Sequence, residues 1–109
     1  METLSSGMKP QRLATATAAT SLTDLYTVPT GNRAEVVGIT FCNTSTSANR
    51  TVTLKVAGCP IFSGALIPIS TTVHWEGWMV LHAGEKIQAQ ADAAGAVAIY
   101  ISGGQGSDT

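Results

Sequence analysis

The sequence predicts an all-β domain, an antiparallel two-sheet β-sandwich of jelly-roll-like type with flexible N- and C-terminal arms. Three observations carry that expectation. Apolar residues alternate with polar ones at period two in several runs; no window places apolar residues at helical spacing; and Gly, Pro, Asn and Ser clusters punctuate the chain at regular short intervals. With 109 residues there is room for one core, and apolar residues at 44% suffice to fill it. The expected division is an N-terminal arm over 1–12, a sandwich over 13–102 and a flexible tail over 103–109.

The elements follow in order. Residues 13–20 alternate Ala and Thr, small enough for an edge strand, and Leu25, Tyr26 and Val28 precede a turn at Pro29-Thr30-Gly31-Asn32. A strand from Arg33 to Asn43 turns Val37, Ile39 and Phe41 one way. The polar stretch 43–49 follows, and then Val52, Leu54 and Val56 alternate with Thr51, Thr53 and Lys55. This pair reads as an antiparallel hairpin with a long tip. Strands over 61–66 and 71–81 are divided at Pro68, with a bulge expected at Gly77. After Ala83-Gly84-Glu85, Ile87, Ala89 and Ala91 alternate with Gln88 and Gln90, and Val97, Ile99 and Ile101 form the last strand.

Charge narrows the function classes. Six basic against seven acidic residues give a net charge of -1, so nothing draws a phosphate backbone or an anionic membrane, and neither nucleic acid nor membrane is an expected partner. The longest nearly apolar run, 93–101, is far below the ~20 residues of a membrane span. Residues 1–11 carry no signal-peptide core, which predicts a protein made in a cytoplasm. The two cysteines are too few for a disulfide framework. In the expected hairpin Cys42 lies near the tip and Cys59 near the open end, roughly eight residues apart at ~3.3 Å each, which predicts two free thiols.

No catalytic or cofactor chemistry is expected. His74 and Glu76 share a strand face and His82 is near in sequence, but a zinc site needs three or four ligands. No nucleophile elbow accompanies a His and an acid, and Gly103-Gly104-Gln105-Gly106 lacks the Lys and helix of a phosphate loop. The triplets beginning at Asn43 and Asn49 match a glycosylation acceptor, which has no use without secretion. Trp75 and Trp78 bracket Gly77: in a regular strand they would face opposite sides, and a bulge at Gly77 could bring them together, so the expectation is either one in the core and the other at a contact with a partner, or both in the core.

The run Ala16-Thr17-Ala18-Ala19-Thr20-Ser21-Leu22-Thr23-Asp24-Leu25-Tyr26-Thr27-Val28-Pro29, then Gly31-Asn32-Arg33-Ala34 and Phe41-Cys42-Asn43, resembles a family of small tailed-bacteriophage virion proteins of the capsid decoration or cement type. Leu66-Ile67-Pro68-Ile69, Gly77-Trp78-Met79-Val80-Leu81 and Ala83-Gly84-Glu85-Lys86-Ile87 continue the likeness over about residues 14–103, with Glu85 where the pattern often has Asp. The resemblance implies a non-enzymatic jelly-roll-like protein, a homotrimer or other small oligomer, bound to the phage major capsid protein on the outside of the head and assembled in the host cytoplasm. Composition agrees with a covered surface, since Thr, Ser, Ala and Gln on outer strand faces lose water at lower cost than Lys or Glu. The candidate contacts are Met8, Lys9 and Arg12 of the arm, together with Trp75 and Trp78. A tail, collar or fibre component and a small carbohydrate-binding module are the other readings; with six aromatics a sugar platform would be thin.

Overall fold

The computed structural model describes residues 7–107, which form eight strands and no helix. They are β1 (Lys9–Thr17), β2 (Thr23–Thr27), β3 (Asn32–Asn43), β4 (Arg50–Val56), β5 (Cys59–Ile67), β6 (Thr72–Leu81), β7 (Lys86–Ala91) and β8 (Val97–Ser107). Two four-stranded antiparallel sheets result, ordered β1-β8-β3-β6 and β2-β7-β4-β5. Strand 1 pairs with 8, 2 with 7, 3 with 6 and 4 with 5, as in one long hairpin, and the β3–β8 and β4–β7 pairings roll that hairpin into a jelly roll.

The core is the seam between the sheets. Val36, Ile39, Phe41, Ile99 and Ile101 of the first sheet meet Val52, Leu54, Ile67 and Ile87 of the second, all essentially buried. Each such side chain contributes about 1.5–3 kcal/mol on leaving water. Phe41 and Phe62 pack edge to face across the seam with centroids 5.1 Å apart.

The expected β3–β4 hairpin does not form. β3 and β4 belong to different sheets, and 44–49 is a crossover between them. Asn43 makes the crossover. Fully buried, it donates from Nδ2 to the carbonyls of Ala48 and Ile67 and accepts from the Ser45 N–H at Oδ1, which satisfies backbone groups the departing chain leaves unpaired. The two thiols are free, as expected, although Cys42 and Cys59 are held apart by lying on different sheets rather than at the two ends of one hairpin. The true tight hairpin is β4–β5, turning on Ala57 and Gly58 at φ 53° and 78°, both in the left-handed region that a two-residue hairpin turn favours.

The expected arm and tail are also shorter. Lys9 to Arg12 are strand, paired with Gln105 to Ser102, and β8 runs to Ser107. Residues 1–6 of the expected arm and 108–109 of the expected tail lie outside the described residues. The glycines of 103–106 read as flexibility, but they serve close approach: a Cβ on Gly103 would stand 1.9 Å from the Glu35 carbonyl oxygen, and one on Gly106 2.6 Å from that of Gly7.

That crowding at Gly103 belongs to a row of slips across the first sheet. β1 inserts Leu13 and β3 inserts Val37 against an unbroken β8, and β6 spends Gly77 and Trp78 opposite Val37 alone. Val37, expected in line with Ile39 and Phe41, is instead the inserted residue, buried but outside the core cluster. Gly103→Ala is expected to destabilise the fold by about 2–4 kcal/mol, because backbone rather than a flexible side chain must move. Urea unfolding measures it, and a variant as stable as the parent would contradict the close approach of β3 and β8.

Candidate interaction surface

The first sheet's outer face is built in rows. Thr15, Tyr100, Thr40 and His74 form one; Arg12, Ser102, Gly38 and Glu76 the next; Pro10, Gly104, Glu35 and Val80 a third. Because of the slip at Gly77, Trp78 stands beside the third row and donates its indole N–H to Glu35 Oε1 at 3.0 Å. Glu35 is only 2% exposed although it lies on an outer face. Sequence reading passed over it, yet a single acid inside the apolar run Ala34-Glu35-Val36-Val37 was the available signal. Trp78, Val80 and Tyr100 remain exposed on this face, Trp78 by about half.

The expected contacts separate. Trp75 points inward, packs on the core, and lays its ring over Gly77 so closely that a Cβ there would meet it at 2.4 Å. It is partly buried at the margin of the core, on the inner side of the edge strand β6, and does not stand on the outer face with Trp78. Trp78 has the placement expected of the outer tryptophan. Met8 is buried against its own chain beside Gly106, so it is not free to reach a neighbour. Lys9 and Arg12 are exposed but fixed on the edge strand β1.

His74 hydrogen-bonds Thr40 Oγ1 through Nδ1 at 2.7 Å and faces Glu76 Oε1 through Nε2 at 3.3 Å. His82 lies beyond β6, where its backbone N–H donates to the Glu85 carboxylate at 2.6 Å, so it does not join them. Among the described residues no three His, Cys, Asp or Glu side chains form a group able to hold a metal ion.

The second sheet's outer face is polar. Lys86 reaches Asp24 at 3.0 Å and Gln88 Nε2 donates to the same carboxylate at 2.8 Å; the Lys86 hydrogen bond, then that of Gln88, holds the Asp24 carboxyl below the ordinary aspartate range. A shallow open depression of about 250 Å³ lies among Thr20, Thr51, Thr53, Gln90, Ala91 and Asp92. Between the sheets, the Tyr26 hydroxyl donates to Gln105 Oε1, and burial pushes its phenol upward. This bond ties β2 to the end of β8 that the sequence read as tail. No helix among the described residues is long and apolar enough to cross a membrane.

No protein-family model matches the chain. No curated protein matches it significantly either.

The two tryptophans are expected to differ in what they support. Trp75→Ala is expected to cost about 2–4 kcal/mol through loss of core packing, and Trp78→Ala about 1 kcal/mol or less. Urea midpoints of the two variants compare them; equal or reversed losses would contradict the inward and outward placement.

Proposed function

We propose that this chain is a structural, non-enzymatic bacteriophage virion protein: a capsid decoration or cement protein that binds the outer surface of the head as a small homo-oligomer and stabilises it. The resemblance over about residues 14–103 supplies the phage and capsid parts of this reading, and the two-sheet sandwich agrees with the fold it implied. The single observation that carries it is the skin of the sandwich. The outer rows of its first sheet set Thr15, Thr40, Ser102, Gly38 and Gly104 beside only three charged residues, Arg12, Glu35 and Glu76, of which Glu35 is buried, and Trp78, Val80 and Tyr100 stand exposed on the same sheet. Such a surface loses water at low cost and suits contact with protein.

The mechanism is mass action on the lattice. A protein that binds across neighbouring capsid subunits only in the mature arrangement stabilises that arrangement by the free energy of binding, with no reaction. Expansion or internal pressure must then break added contacts before the shell opens.

Heads assembled without this protein are expected to release DNA at lower temperature than complete ones, and to regain resistance when the purified protein is added back. Immunogold label on the protein is expected over the head. Equal heat resistance, or label confined to the tail, would overturn the proposal.

A further inference from the structure

The sandwich has four strand edges; each has an irregularity in its pairing, and three add proline, basic residues or short length to it. β1 has Lys9, Pro10, Arg12 and the slip at Leu13. β2 is five residues long and irregular after Asp24. β5 has Pro60, Gly64 at φ 61° and two irregularities against β4. Proline, basic residues, bulges and short length are the known protections of a sheet edge. β6 is ten residues long with no proline, lysine or arginine, and is regular from Thr72 to Glu76 before its slip. Of the six large apolar side chains exposed among the described residues, Leu66, Ile69, Trp78 and Val80 lie on β5, on β6 or in the turn between them.

We propose that the β6 edge is an interface for a second copy of this chain, paired antiparallel about a two-fold axis at Trp75 so that the first sheets of two copies join into one of eight strands. This deepens the proposed function and rests on its premise that the protein assembles with itself. Inner residues must face inner residues, so only every second register is allowed. Of those centred on residues 74–76, where His74 or Glu76 meets its own copy or the other, a two-fold at His74 sets His74 against its own copy and one at Glu76 sets two carboxylates together. The two-fold at Trp75 sets His74 opposite Glu76 of the second copy, twice, and Thr72 opposite Trp78 twice. With the His74–Glu76 contact within each chain, the four groups alternate in type around the axis. The outer tryptophan, half exposed in one copy, is partly covered in the pair. The resemblance implied a homotrimer or other small oligomer, and this two-fold pair is a small oligomer of the second kind.

The test is a mixing experiment read by light scattering on the full chain. H74E sets acid against Glu76 of the other copy, and E76K sets a lysine against His74; each variant alone is expected to dimerise about tenfold more weakly than the parent or worse. An equimolar mixture is expected to recover dimer as a one-to-one heterodimer, because each acid of the first then faces a cation or imidazole of the second. Contacts within one chain cannot produce that recovery. Should either variant fold poorly, H74C and E76C chains in a C42S/C59S background, mixed under mild oxidation, are expected to form the mixed disulfide in preference to either homodimer. A parent that assembles while both charge variants assemble equally well, or a mixture without heterodimer, would overturn the β6 register and leave self-assembly standing. A parent that stays monomeric would overturn both.

Discussion

Everything in the first sheet depends on the slip at Val37. Ala34 and Val36 face the core, and so do Ile39 and Phe41, although a strand of strict alternation would send the second pair to the opposite side. One inserted residue resets the parity and keeps twelve residues of β3 useful to the core. The unbroken β8 beside it, with Val97, Ile99 and Ile101 inward, acts as the ruler against which β1 and β3 each gain a residue. The insertion brings the Glu35 carbonyl over β8, and only glycine at 103 leaves it room. On β6 alternation runs unbroken through the slip, so Trp75 turns inward over Gly77 and Trp78 outward beside Glu35. Core parity and the crowding at Gly103 are thus consequences of one row of slips.

The slips also decide how the edges meet water. On β1 the inserted Leu13 joins Lys9, Pro10 and Arg12 in making a poor template, and the sheet's other edge, β6, keeps its regular half at Thr72 to Glu76. Charged side chains are few on these edges, with none on β5, and β1, β2 and β5 are guarded instead by combinations of proline, basic residues, slips and short length. On the proposed account the least guarded strand, β6, and the apolar side chains near it are an assembly surface, and the low overall charge would let the rest of the skin lie against a lattice.

Much of this fold was legible in the sequence, because alternation reports which residues face inward. Val52, Leu54 and Val56, then Ile87, Ala89 and Ala91, then Val97, Ile99 and Ile101 are inward as their spacing requires. Alternation is silent on which strand pairs with which. The polar stretch after Asn43 looked like a hairpin tip, whereas Asn43 satisfies the backbone of a crossover between sheets. Glycine was equally ambiguous. Residues 103–106 have the composition of a loose tail, but at Gly103, beside a slip, and at Gly106 the missing Cβ is a packing requirement. At the surface, the bracket around Gly77 left open whether both tryptophans pack in the core or one faces out, because a bulge there could have brought them together; unbroken alternation along β6 turns Trp75 in and Trp78 out. Glu35 was hidden because burial on an outer face comes from neighbours on other strands, which no local pattern encodes.

The central claim, a weakly charged jelly roll that exists to be covered and is covered first along β6, is tested most directly by amide hydrogen exchange as a function of protein concentration. The account predicts that exchange in 72–76 slows markedly as concentration rises through the assembly range, while exchange along the guarded edge β1 stays constant. Exchange in 72–76 that does not change with concentration while the protein assembles, or slowing confined to β1, would contradict it.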